Sequence, residues 1–182
     1  MNAPSAPPQE AFHAIPELIH EHALARPGHV ALAQDGERID YAALDALMDR
    51  AAAALQRDGL RPGDAIAVCA HSSPRYAALF LGALRAGVVV APLAPSVTAA
   101  QFASMLQDAQ AKLLFADAAA APLLAGTEPR TVALNASLPG IAFDDWVAPP
   151  GSRPEAVALQ PQMPFNIIYS SGTTGTPKGI VQ

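Results

Sequence analysis

Residues 170–179 read Ser-Ser-Gly-Thr-Thr-Gly-Thr-Pro-Lys-Gly. Hydroxyls (Ser170, Ser171, Thr173, Thr174, Thr176), glycines (Gly172, Gly175, Gly179) and one lysine, Lys178, fall in a single short stretch. That mixture suits a chain of phosphates. Glycines let backbone N–H groups close on an anion with no Cβ in the way. The hydroxyls add donors, Lys178 adds a mobile positive charge, and Pro177 stiffens the approach to it. The stretch is not a Walker A loop: where that motif needs a second glycine before the lysine, Pro177 stands here. The plain alternative is a flexible Gly/Thr linker, and composition alone favours it.

Other side chains offer less. Cys69 and His71 lie two apart at the end of a predicted strand, so they share a face and could form a nucleophile pair. A buried core cysteine is the better reading, because free Cys is among the most buried residue types. His13, His20, His22 and His29 lack metal-ligand spacing and read as surface histidines. Asp144 and Asp145 are adjacent carboxylates on a connector, where they do not converge and read as solvated. The alanine runs 51–54 and 118–121 favour helix and tight packing. No metal ligand is assigned.

The elements that must hold residues 170–179 follow from periodicity and turn chemistry. Residues 16–25 have a helical pattern, with Ile15, Leu18, Ile19 and His22 on one side. Asp35-Gly36 between residues 30–34 and 37–40 is a hairpin signal. Residues 41–58 form the next helix, with an apolar stripe of Tyr41, Leu44, Leu47, Met48, Ala51 and Leu55, a cap at Asp40 and a stop at Gly59. Arg61-Pro62-Gly63-Asp64 fits a type II turn. From there the chain alternates: strand 65–70, helix 74–85 behind Ser73 and Pro74, strand 88–93, helix from Thr98 with Gln101 completing a capping box, strand 112–116, a short helix 118–125 broken by Pro122, and strand 131–135. This βαβ rhythm predicts an α/β fold: a mostly parallel sheet with helices on both faces, preceded by an N-terminal hairpin. Residues 138–164, rich in proline and holding Trp146, read as a surface connector. Residues 165–170 are one more apolar strand, running into a single loop at 170–179.

Composition bounds the function. The chain has 182 residues, 51% hydrophobic and 15% charged, enough to fill one core without disulfide or metal staples. Its mean hydropathy is +0.21, yet no apolar run approaches the roughly 18 residues of a membrane helix. The net charge of −5 and the 11 Lys and Arg argue against nucleic acid and anionic membrane as partners. Cys69 is the lone cysteine, which excludes an internal disulfide framework and suits a reducing cytoplasm. Residues 1–12 lack the charged and apolar regions of a signal peptide and are expected to be a disordered tail, with residues 13–182 forming the α/β portion.

Tyr169 through Gly179, Tyr-Ser-Ser-Gly-Thr-Thr-Gly-Thr-Pro-Lys-Gly, closely resembles the phosphate-loop signature of the adenylate-forming superfamily, which comprises acyl- and aryl-CoA synthetases, peptide-synthetase adenylation domains and luciferases. Residues 39–44, 59–69 and 80–92 resemble its early helices and strands, so the likeness spans about residues 15–182. The resemblance implies a two-step reaction. A carboxylic acid attacks the α-phosphate of ATP, giving acyl-AMP and pyrophosphate, and a thiol, often that of CoA, then takes the acyl group. It also implies that Ser170, Ser171, Gly172, Thr173, Thr174, Gly175 and Lys178 hold the ATP phosphates, with Lys178 stabilising their charge. Family members are longer, and their magnesium-binding carboxylate and catalytic C-terminal domain lie beyond this loop. The expectation is therefore an N-terminal portion of an acyl- or aryl-CoA synthetase, inactive by itself and inclined to self-associate through the face that the remainder would cover. An adenylation domain serving a carrier protein, and a non-catalytic binding fragment, remain open alternatives.

Overall fold

The computed structural model describes residues 12–124, 129–135, 138, 140–170 and 177–182. Residues 1–11, most of the expected tail, lie outside the described residues.

Asp35 and Gly36 both take positive φ, 50° and 87°, as a type I′ turn requires. They join β1 (Val30–Gln34) to β2 (Glu37–Asp40) in an antiparallel pair. The Asp40 carboxylate accepts a 2.8 Å hydrogen bond from the Ala43 amide, capping α2 (Tyr41–Arg57). Leu44, Met48, Ala51 and Leu55 of its stripe are fully buried. The turn after α2 closes with a 2.9 Å bond from the Asp64 amide to the Arg61 carbonyl, with Gly63 at φ 88°.

Alternation then builds the sheet. β3 (Ala65–Cys69), α3 (Pro74–Arg85), β4 (Val89–Pro92), α4 (Ala99–Asp108), β5 (Ala111–Ala116), a 3₁₀ turn (Ala118–Leu123) and β6 (Thr131–Ala133) follow in order. Ser73 Oγ accepts from the Tyr76 amide at the start of α3, and Thr98 and Gln101 form the reciprocal capping box of α4. Strand order is β4-β3-β5-β6-β7, where β7 is Ile141–Ala142, and every pairing in this sheet is parallel. Side chains alternate between two cores, as strand geometry demands. Ile66, Val68, Val90, Leu113 and Phe115 face α2 and α3. Ala67, Cys69, Leu114 and Ala116 face Phe102, Met105 and Leu106 of α4. The parallel sheet, its helices on both faces and the N-terminal hairpin thus match expectation.

Three expectations need correction. First, only part of the side of α1 (Ile15–Ala25) that carries Ile15, Leu18, Ile19 and His22 is covered. Ile15 and Leu18 are 52% and 38% exposed, whereas Pro16 is buried. Ile19 and His22 of that side do pack, Ile19 against the cluster of Leu44, Met48 and Ala78 and His22 against the Tyr41 ring, and polar contacts add to them. Arg85 donates to the Pro16 carbonyl at 3.1 Å and to the Asp45 and Asp49 carboxylates of α2 at 2.6 and 2.7 Å, and His20 pairs with Asp45 at 2.9 Å.

Second, part of the expected surface connector is core. β7 completes the sheet, and α5 (Phe143–Trp146) turns Phe143 and Trp146 inward, each 1% exposed. The Trp146 ring packs edge-on against Phe115 at 4.8 Å, and its Nε1 donates to Asp58 at 2.8 Å. Two strand residues and one helical turn are too short for periodicity to register. Asp144 lies in α5, exposed and paired with Arg75 at 2.8 Å.

Third, the last apolar strand does not end in one long loop. β8 (Ile167–Ser170) pairs antiparallel with β9 (Lys178–Val181) in a separate hairpin, so Lys178 and Gly179 are strand residues. A parallel bridge between Val90 and Asn166 ties this hairpin to β4.

Candidate functional site

The bridge to β4 fixes the direction of β8. The Val90 amide donates to the Phe165 carbonyl at 3.0 Å, so β8 runs parallel to β4, and both point the same way as β3 and β5. Ser170 therefore ends β8 at the carboxyl edge of the parallel sheet, the edge outside which open α/β folds bind ligands.

Register places the flanks of the loop. Ile167 faces Val181, Ile168 faces Ile180, Tyr169 faces Gly179 and Ser170 faces Lys178. Directly opposed residues project to the same side. Ser170, Lys178, Ile168 and Ile180 thus form one face, and Tyr169, Gly179, Ile167 and Val181 the other. Ser170 and Lys178 are both exposed. Of the other candidates, Ser171, Gly172, Thr173, Thr174 and Gly175 lie outside the described residues, as does Thr176.

The Tyr169 face is anchored. Its hydroxyl lies 2.7 Å from Oδ2 of Asp108, to which it donates, and 3.1 Å from the Met105 carbonyl. Burial, then the hydrogen bond to the Asp108 carboxylate and its charge, push the phenol well above its ordinary value. Gly179 lies beneath this contact. A Cβ there would sit 2.9 Å from Ile167 Cγ2 and 3.1 Å from both Asp108 Oδ2 and Tyr169 Cε1. Reading the sequence for phosphate donors missed Asp108. The available signal was an acidic residue ending α4, where the helix dipole favours cations.

The other sequence candidates do not join this site. Cys69 is fully buried; burial, then the charge of Asp117, pushes its thiol up to about 11. His71 turns outward, its side chain 76% exposed, and takes Asp117 as partner at 2.9 Å. The pair lines a cleft of about 270 Å³ with Ser73 and Arg75, also at the carboxyl edge. Desolvation opposes the Asp117 charge, but the His71 amide and ring and the Ala119 amide outweigh it and hold the carboxyl below its usual range. His22 stacks edge-on with Tyr41 at 5.0 Å. Among the described residues no group of three or more His, Cys, Asp or Glu could hold a metal ion, so magnesium is given no ligand among them. Among the described residues no helix is long and apolar enough to cross a membrane.

Comparison with known proteins shows the family and the fold. The family model for the AMP-binding enzyme matches residues 19–182. A fatty acid–[acyl-carrier-protein] ligase of Streptomyces coeruleorubidus is 31% identical over 164 residues, covering 88% of this chain and 31% of its own length. A 3-hydroxybenzoate–CoA ligase of an Aromatoleum strain is 31% identical over 161 residues, covering 83% and 30%. The structure of an anthranilate CoA ligase in complex with anthranoyl-AMP superposes with a TM-score of 0.85 at 20% identity, covering 93% of this chain and 34% of that one; at that identity it speaks for the fold. The chain spans about a third of the length of these two curated relatives.

Proposed function

The chain belongs to the AMP-binding enzyme family, and from that premise we propose that it supplies the ATP-phosphate-binding part of a carboxylate-activating ligase. The observation that carries this reading is the Ser170–Lys178 pair at the mouth of the β8–β9 hairpin, set at the carboxyl edge of the sheet. A hydroxyl and an ammonium on one side of a glycine-rich connection are the chemistry a polyphosphate needs.

In the proposed reaction a carboxylate oxygen of the acid attacks the α-phosphorus of ATP, and the bond to the bridging oxygen breaks. Acyl-AMP forms and pyrophosphate leaves. A thiol then attacks the acyl carbon and AMP departs, leaving a thioester. Ser170, Ser171, Thr173 and Thr174, with the amides of Gly172 and Gly175, hold the β- and γ-phosphates. Lys178 offsets the charge that develops on the departing pyrophosphate. Magnesium would accompany the ATP.

CoA is the proposed acceptor, in line with the relative named for a CoA ligation. A carrier-protein acceptor is the second reading, favoured by the relative named as a carrier-protein ligase. The lone thiol Cys69 suits the cytoplasm. The 182 residues alone are proposed not to complete turnover, and to self-associate through the face bearing Ile168 and Ile180, which are 38% and 53% exposed.

The test is carboxylate-dependent ATP–pyrophosphate exchange by the full-length protein, with a panel of fatty and aromatic acids, followed by thioester formation with CoA or carrier protein. Exchange that depends on one class of acid supports the reading. Absence of exchange across the panel, with folded protein that binds no ATP, contradicts it. The isolated 182 residues should release no pyrophosphate above background.

A further inference from the structure

Asp108 breaks a local rule. It is the last residue of α4, where the helix dipole disfavours a carboxylate, and no basic residue occupies that last turn. Local rules broken without evident local gain tend to mark functional positions. What Asp108 gains lies in another element. Its Oδ2 accepts the Tyr169 hydroxyl at 2.7 Å, the length of a charge-assisted bond. The same oxygen closes over Gly179, where a Cβ would come within 3.1 Å of it.

We infer that Asp108 and Tyr169 are positioning residues for the phosphate loop, a tether by which α4 fixes both of its flanks. Tyr169 is bonded directly to Ser170 in the chain, and Gly179 to Lys178. Tyr169 faces Gly179 in the ladder, one step below the Ser170–Lys178 pair, so the bond to Tyr169 reaches the β9 flank through that pairing. Holding Tyr169 against α4 turns that residue of the hairpin inward, where it is half-buried. Because alternate residues of a strand project to opposite sides, Ser170 and Lys178 are turned out toward the ligand side. Among the described residues the backbone bridge that ties the hairpin to the five-stranded sheet lies at Asn166, at the end of β8 away from the loop. The Asp108 contact secures the end at which the loop begins. This inference rests on the phosphate role given above to the loop.

The test is steady-state ATP–pyrophosphate exchange in the full-length protein, comparing Tyr169→Phe, Asp108→Ala and the double variant, with melting temperatures measured alongside. Tyr169→Phe removes one hydroxyl and little else. The expected result is a rise of about tenfold in the KM for ATP, an unchanged KM for the acid, and a double variant no worse than the more impaired single one, because the pair acts as a unit. Asp108→Asn, which keeps an acceptor for the hydroxyl, should recover most of the loss. An unchanged KM for ATP in Tyr169→Phe, with only a lowered melting temperature, overturns the tether and leaves a structural bond. Lys178→Ala tells that failure from failure of the phosphate role. If Lys178→Ala impairs ATP use while Tyr169→Phe does not, only the tether falls; if neither variant alters it, the phosphate reading falls and the tether with it.

Discussion

Ser170 and Lys178 stand directly opposite each other, the last residue of β8 against the first of β9. Nothing in their spacing along the chain demands this. It follows from the antiparallel ladder, which brings a hydroxyl and an ammonium to one side of a loop whose own residues carry the glycines. Opposed residues of such a ladder have Cβ atoms about 5 Å apart, a separation that one phosphate group can span.

The scaffold beneath that pair depends on close approach of helices. Gly82 of α3 sits against α2: a Cβ there would lie 2.9 Å from both the Ala51 Cβ and the Met48 carbonyl. Gly82→Ala should gain up to about 1 kcal/mol in helix propensity and lose about 1–3 kcal/mol to overpacking. The clash wins because the backbone carbonyl cannot move aside. Urea unfolding should show a lower midpoint; an equal or higher midpoint would mean that the two helices separate freely.

Most of this scaffold was legible in the sequence because its signals are local. Asp35-Gly36, Ser73-Pro74 and the Thr98–Gln101 box each act within a few residues, and each forms as the residues dictate. Trp146 was not legible, since its burial depends on Phe115 and Asp58, distant in sequence and invisible to periodicity. The exposure of Ile15 and Leu18 on α1 was hidden for the same reason, since Arg85 of α3 holds the start of that helix. At the site, the chemistry of Ser170 and Lys178 was readable, but their pairing across a hairpin and the role of Asp108 required the third dimension.

Asp117 provides a pH test. Its carboxyl is held below the ordinary range in the folded protein, so its charge contributes stability above about pH 4, which is lost as the pH falls through the lower folded value. Its side chain is 9% exposed and accepts three hydrogen bonds. Asp117→Asn should cost about 1–3 kcal/mol at pH 7. The difference from the unmodified protein should shrink as the pH drops below 4. Denaturant titrations from pH 7 to pH 3 check this, and a penalty independent of pH would contradict it.

Cys69 should be inert. With its thiol fully buried and pushed up to about 11, little thiolate exists at pH 8 and no reagent reaches it. Maleimide labelling of the native protein should proceed no faster than unfolding, and become fast in denaturant. Rapid native labelling would restore the Cys69–His71 nucleophile pair to consideration.

The central claim, that this loop binds the phosphates of ATP, is tested most directly by Lys178→Ala in the full-length protein. Lys178 is exposed in β9 and belongs to none of the apolar clusters, so the variant should melt at the unmodified temperature. Carboxylate-dependent ATP–pyrophosphate exchange should fall by about 10²–10³-fold, the loss seen when one decisive electrostatic donor is removed. Exchange at the unmodified rate by the folded variant would contradict the account.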